Sequence, residues 1–196
     1  MKAAFGFKAH SGWAALVLVG IEGGRAQVLD RRRLELTGPG ETWAKAPYHA
    51  AEELKHDVAR KLVQRGLAVA RRNTERALRD ETRRATEAGH QVAACAVLMG
   101  EPMPPWSTDQ ILAVHFRMHK AEGVLWREAI VNAAEEIGLR PVPVDEKRLA
   151  EAAREALGAT PAGVAKRIAG MGDGIGPPWG KDQRDAALAA LIALVS

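Results

Sequence analysis

The chain of 196 residues is 47% hydrophobic and 27% charged, which is typical of a globular protein with one core, and we expect a single domain over residues 1–196. Its apolar runs are shorter than the roughly 20 residues of a membrane helix, and its first residues lack the features of a secretory signal, so a cytoplasmic location without a membrane partner is expected. A single cysteine excludes an internal disulfide, and a net charge of +4 permits a nucleic-acid partner without requiring one.

Three strand-like segments occupy the first 36 residues. Apolar runs at 3–8 and 13–21 are joined by a short turn, and a glycine turn leads into alternating apolar residues at 26–36. Because each turn is too short for a crossover, consecutive strands must pair antiparallel. The sequence therefore predicts a three-stranded meander.

The rest of the chain alternates helices with two short strands. Apolar residues four apart predict a long helix that continues to Glu87, with Gly66 as a candidate break. The predicted elements that follow are a strand at 90–99, a helix at 111–137, a proline-containing edge strand or strand start at 141–144, and helices at 146–157, 161–169 and 182–195. Right-handed crossovers lay the last two strands parallel to the first. The predicted fold class is α/β, a five-stranded mixed sheet with helices on both faces.

Three short stretches resemble bacterial Holliday-junction resolvases of the ribonuclease H-like superfamily. GFK at 6–8 and SGW at 11–13 stand where that family has Gly-Ile-Asp and Thr-Gly-Trp. Glu101 follows the fourth strand, as a family glutamate does, and Asp182 and Asp185 open the last helix like a family pair of aspartates. The resemblance implies a ribonuclease H-like fold, DNA or RNA as the partner, and a homodimer.

The resemblance also implies a two-metal site, in which carboxylates hold Mg²⁺ or Mn²⁺ for phosphodiester hydrolysis. The implied catalytic residues are Glu101, Asp182 and Asp185, although Glu101 can equally be a loop residue and the two aspartates helix-capping charges. Lys8 stands where the family has its first-strand aspartate, and an ammonium group repels a metal cation. Two hypotheses follow: a metal-dependent nuclease with a non-standard active site, or a non-catalytic binding module that has lost the aspartate.

A second polar group lies on the helix predicted over 111–137. At 100° per residue, His115, His119 and Glu122 share the stripe that carries the helix's apolar residues. Because buried polar groups need partners, this spacing predicts either a Zn²⁺, Mn²⁺ or Ni²⁺ site or a metal-free polar cluster. His10, in the first turn, and His49, near the start of the first long helix, are expected to approach the same place.

Basic residues near the sheet are candidates for binding. Arg31 and Arg33 flank the densest basic run, and strand alternation allows only some of these arginines to contact phosphate together. Lys8, His10 and His49 complete the predicted binding residues. By contrast, the arginines at 71–84 are interleaved with acidic residues, which indicates a solvated face of ion pairs. The glycine-rich loop at 170–180 lacks the Lys-Ser/Thr ending of a phosphate-binding loop.

Overall fold

The computed structural model describes residues 1–173 and 175–196; Gly174, in the predicted glycine-rich loop, lies outside the described residues. The strands are β1 (Lys2–His10), β2 (Trp13–Glu22), β3 (Arg25–Glu35), β4 (Gln91–Met99) and β5 (Arg140–Asp145). The helices are α1 (Pro47–Ala50), α2 (His56–Glu87), α3 (Thr108–Leu112), α4 (His115–Glu136), α5 (Leu149–Leu157), α6 (Pro161–Met171) and α7 (Lys181–Val195), with short 3₁₀ turns at Thr42–Lys45 and Glu146–Arg148.

The five strands form one mixed sheet in the order β3-β2-β1-β4-β5. β1 pairs antiparallel with β2, and β2 with β3, whereas β4 is parallel to both β1 and β5. The predicted meander and the two parallel strands are therefore confirmed. β5 contains two prolines and lies at the edge, where their missing N–H groups leave no ladder position unfilled.

Helices cover both faces of the sheet because alternate side chains of its central strands are buried on opposite sides. On one face, Ala4 packs with α7, α5 and α6. On the other, Phe5 and Phe7 pack with α2 and α4, around Trp126. Gly6 lets α7 lie directly on β1, since a Cβ at this position would be 1.9 Å from the carbonyl oxygen of Ala186. This close contact brings the first turn of α7 to the end of β1.

Two expectations about helices need correction. The single helix expected over 111–137 is two helices, because Val114 between α3 and α4 adopts an extended conformation with φ −141° and ψ 112°. The apolar period continues across this break, so periodicity alone did not reveal it. Gly66 does not interrupt α2; it instead permits a close approach of α1, since a Cβ there would lie 2.4 Å from Cβ of Pro47.

A small separate core forms where α1, α3 and the beginnings of α2 and α4 meet. Its buried members include Tyr48, Val63, Ile111 and Met118. This core fixes the positions of α1 and of the first turns of α4, which carry three of the six histidines. Within the described ranges, no helix combines the length and apolar character needed to cross a bilayer.

Candidate functional site

The ammonium group of Lys8, near the end of β1, lies among three carboxylates. Lys8 Nζ is 2.8 Å from Asp185 Oδ2 and 3.0 Å from Glu146 Oε1. It is also 3.4 Å from Asp182 Oδ1, and the Lys8 side chain is only 11% exposed. The two aspartates come from the first turns of α7, and Glu146 directly follows β5. We call these four residues the Lys8 cluster.

Charge is strongly stabilised within this cluster. Burial alone would lower the pKa of Lys8, but hydrogen bonds to Asp185 and Glu146 outweigh it and raise the pKa above its usual value. Burial alone would raise the pKa of Asp185, but hydrogen bonds from Lys181 and Lys8 have a larger effect in the opposite direction. The pKa of Asp185 is therefore lower than its usual value. Both groups are therefore ionised at neutral pH. The carboxylates do not fit a two-metal site in this state, because the ammonium already occupies the space between them.

Two more cations complete the charge balance of the cluster. Arg127 Nη2 lies 3.5 Å from Glu146 Oε2, and Lys181 Nζ lies 2.5 Å from Asp185 Oδ2. Three cations thus face three carboxylates, and the formal sum is zero. The sequence did not single out Glu146 or Arg127. The available signal for Glu146 was its position directly after a parallel strand, where side chains gather at the carboxyl edge of the sheet.

A stack of rings borders the Lys8 cluster. His10 Nε2 lies 2.9 Å from Asp182 Oδ2, and its ring stacks on Trp13 with centroids 4.1 Å apart. The guanidinium carbon of Arg33 lies 3.6 Å from the Trp13 ring centroid. The Trp13 ring thus contacts both the His10 imidazole and the Arg33 guanidinium. Arg33 is half exposed and also pairs with Glu35 at 2.5 Å.

Two of the sequence-predicted residues lie elsewhere. Glu101 does not join the aspartates: it pairs with Lys147 at 2.5 Å and with Lys120 at 3.7 Å, and a hydrogen bond from Lys147 lowers its pKa. Arg31 donates from Nη2 to the carbonyl oxygens of Ile175 and Pro177, both at 2.9 Å. These two hydrogen bonds hold the loop before α7, so fewer N–H groups of the Arg31 guanidinium are available to bind a phosphate.

The arginines of α2 form a face of ion pairs, in agreement with their mixed-charge sequence. Arg79 pairs with Glu75 one turn earlier, and Arg71 reaches Glu136 on α4. Such exposed pairs contribute little to stability, about 0–1 kcal/mol each. They mark a solvated surface, unlike the Lys8 ammonium, whose side chain is only 11% exposed.

Three histidines from two helices converge beyond the same end of the sheet. One nitrogen each of His49, His115 and His119 lies within 4.8 Å of the others. His10, which was expected among them, instead pairs with Asp182. Glu122, which was expected as a ligand, lies behind His49: its Oε2 is 2.5 Å from His49 Nδ1, and its Oε1 accepts hydrogen bonds from the backbone N–H groups of Tyr48 and His49.

Neither a scan of protein-family models nor a search of curated proteins gives a match. Several solved structures are similar, and two of them are structures of RuvC. The Thermus thermophilus RuvC structure is 16% identical, with a TM-score of 0.53 over 98% of this chain and 93% of that one. T. thermophilus RuvC in complex with Holliday junction substrate is 14% identical, with a TM-score of 0.53 over 100% and 94% of the two chains. The chain therefore has the ribonuclease H-like fold of these RuvC structures.

Proposed function

We propose that this chain binds nucleic acid through a ribonuclease H-like fold and does not hydrolyse it by the two-metal route. The observation that carries the proposal is the Lys8 ammonium, held within 3.4 Å of all three surrounding carboxylates. Two-metal hydrolysis needs such carboxylates to hold cations about 4 Å apart, and Lys8 takes this space. A nuclease with a rearranged carboxylate site has less support, because Glu101 pairs with Lys147 and Lys120 rather than joining the aspartates.

The charge balance of the cluster supports metal-independent binding. Bare carboxylates repel a phosphate backbone unless metal ions neutralise them. Here the carboxylates are neutralised by Lys8, Arg127 and Lys181, so a phosphate can approach without a metal. The net charge of +4 adds a general attraction, and a similar structure is that of a RuvC in complex with Holliday junction substrate.

Exposed cations beside the cluster are the proposed phosphate contacts. The side chains of Arg33 and Lys181 are 52% and 71% exposed, so each can contact a phosphate in addition to its present carboxylate partner. Trp13, itself stacked on His10, holds the Arg33 guanidinium in place. Arg33 was among the residues that the sequence indicated for binding, and here it takes that role together with Lys181.

Fluorescence anisotropy tests the proposal with labelled four-way junction, duplex DNA and RNA, in EDTA and at several salt concentrations. We expect binding in EDTA that weakens as salt rises, with a slope of about −0.9 per neutralised phosphate on duplex DNA. Arg33→Ala should weaken binding and reduce that slope by about 1. The matched control is Lys2→Ala, which removes an exposed cation at the opposite end of β1 and should leave the slope unchanged.

Two results would contradict this function. If no nucleic acid binds with any salt dependence, the nucleic-acid partner is wrong. If the wild type cleaves nucleic acid with Mg²⁺ or Mn²⁺ and Asp185→Asn abolishes the cleavage, the chain is a nuclease and the non-catalytic hypothesis is wrong.

A further inference from the structure

We propose that His49, His115 and His119 form a binding site for one divalent transition-metal ion, with zinc favoured and one coordination position open to solvent. The inference concerns a different place from the Lys8 cluster. His119 lies eight residues before Arg127 on α4, which is about 12 Å along the helix axis. Metal binding at the histidines can therefore be tested separately from nucleic-acid binding.

The spacing of the nitrogen atoms fits a tetrahedral ion. Nε2 of His115 and Nε2 of His119 are 3.1 Å apart. With Zn–N bonds of 2.0–2.1 Å, two ligands of a tetrahedral zinc lie about 3.3 Å apart, so these two atoms need to move only a few tenths of an ångström. The contributing atom of His49 lies within 4.8 Å of both, a distance that a rotation of an imidazole can close.

His49 makes a side-chain hydrogen bond through Nδ1, whereas its Nε2 has no hydrogen-bond partner among the described residues. The buried carboxylate of Glu122 lies 2.5 Å from Nδ1, which makes Nδ1 the protonated, donating nitrogen. In the neutral imidazole Nε2 then carries a lone pair, and this atom is buried without a hydrogen-bond partner in the part of the chain that the structure describes. Buried polar atoms are almost always satisfied, so an unpaired imidazole nitrogen beside two other histidines indicates a ligand.

His115 repeats the arrangement. Its Nδ1 lies 2.9 Å from Oε1 of Glu52, which leaves Nε2 to face His119. Metal-binding histidines usually donate their other ring N–H to a carboxylate, which fixes the tautomer and raises the basicity of the ligand nitrogen. Two of the three histidines here have a carboxylate partner of this kind. Histidines that met on the surface by chance would have no need of such partners.

The surrounding structure holds the site in a fixed shape. Glu122 also accepts the backbone N–H groups of Tyr48 and His49 at 3.0 Å, so one carboxylate both caps α1 and orients the first ligand. Close packing of Pro47 on Gly66 fixes α1 against α2. His115 and His119 are one turn apart on α4, which presents both rings on the same side.

The exposure of the histidines defines what kind of site this is. His115 is 61% exposed and His119 is also exposed, whereas a purely structural zinc site is closed by four protein ligands. A three-histidine set leaves a fourth position for water or an anionic oxygen ligand. Imidazole nitrogen favours Zn²⁺, Cu²⁺ or Ni²⁺ over Mg²⁺ and Ca²⁺, which prefer oxygen.

The test is titration of metal-free full-length protein with Zn²⁺ alone, by isothermal calorimetry, with Co²⁺ absorption to report a tetrahedral nitrogen environment. We expect one ion per chain. Glu122→Gln keeps an acceptor for the backbone N–H groups but loses the charge, so the affinity should fall about 10–100-fold. His119→Ala, an exposed position, should lower it by more. His56→Ala is the matched control, because His56 is a nearby exposed histidine outside the group and should bind normally.

Folding is followed in the same samples by thermal unfolding. Zn²⁺ should raise the melting temperature of the wild type and of His56→Ala, and leave that of His119→Ala unchanged. The inference is overturned if the wild type binds no stoichiometric Zn²⁺, or if His119→Ala binds it with the wild-type affinity.

Discussion

Replacing Lys8 by methionine isolates the role of its charge, because methionine keeps an apolar stem of similar length. The ammonium contacts three carboxylates and is 11% exposed. Removing one partner of a buried ion pair costs about 3–5 kcal/mol. We expect the low end, about 3 kcal/mol, because Lys181 and Arg127 remain and the carboxylate side chains are 17–31% exposed. For a chain of this length, that loss lowers the melting temperature by about 6–12 °C.

The pH dependence follows from the two pKa shifts. The pKa of Asp185 is lowered in the folded protein, so its contribution is present above the unfolded value of 3.8 and is lost as pH falls through the folded value. The pKa of Lys8 is raised, so its contribution is present below 10.5 and is lost only as pH rises through the folded value. The Lys8→Met penalty should therefore be full between these pH values and shrink as pH falls below 3.8 and Asp185 becomes protonated.

Urea unfolding of wild type, Lys8→Met and Lys2→Met measures these differences, with circular dichroism as the signal. Lys2→Met, at the exposed start of the same strand, should change the free energy of unfolding by less than about 0.5 kcal/mol. If Lys8→Met is as stable as the wild type at pH 7, or if its penalty grows in acid, the ammonium does not hold the carboxylates as described.

Three further substitutions or probes test other parts of the structure. Gly6→Ala should cost about 1–3 kcal/mol or more in chemical unfolding, because its Cβ would meet the backbone of Ala186; an unchanged stability would contradict the contact of α7 with β1. The thiol of Cys95 is fully buried and burial raises its pKa, so a thiol reagent should label it only after unfolding, and rapid labelling of native protein would refute this. Burial raises the pKa of Glu81 although Arg32 opposes the shift, so the ionised carboxylate destabilises the folded protein. Glu81→Gln should therefore increase the free energy of unfolding at pH 7 by up to about 1 kcal/mol and give no gain in acid. A variant that is less stable than the wild type at pH 7 would contradict this prediction.

The sheet was predictable because its signals are local. Glycine turns between β1, β2 and β3 leave only antiparallel pairing, and helix-length segments before β4 and β5 require parallel crossovers. The division between α3 and α4 was not predictable from periodicity, because the apolar repeat continues through Val114 while the backbone does not. Local backbone geometry changed there without a glycine or proline to mark it.

The candidate site was predictable in part. The resemblance indicated Asp182 and Asp185, and they approach each other and Lys8. Glu146 was missed because its role depends on where β5 ends in space, which depends on pairing with β4. Glu101 has the right position in the chain, but the nearby ammonium groups of Lys147 and Lys120 attract it away from the aspartates.

The histidine group shows the same division between local and distant information. His115 and His119 were recognisable because they are one helical turn apart. Glu122 was placed on the correct face, but its contacts come from α1, whose approach depends on Gly66 and on the small core around Tyr48. Helical spacing alone could not distinguish a residue that binds a metal from one that orients a ligand.

Calorimetric titration with Mg²⁺ determines whether the ammonium of Lys8 occupies the place of a metal ion. Mg²⁺ prefers oxygen ligands, so the histidine group does not interfere. We expect that the wild type binds no Mg²⁺ at this cluster and that Lys8→Asp, which replaces the cation with a fourth carboxylate, binds it. Binding by the wild type that disappears in Asp185→Asn would mean that the carboxylates hold a metal ion in spite of the Lys8 ammonium.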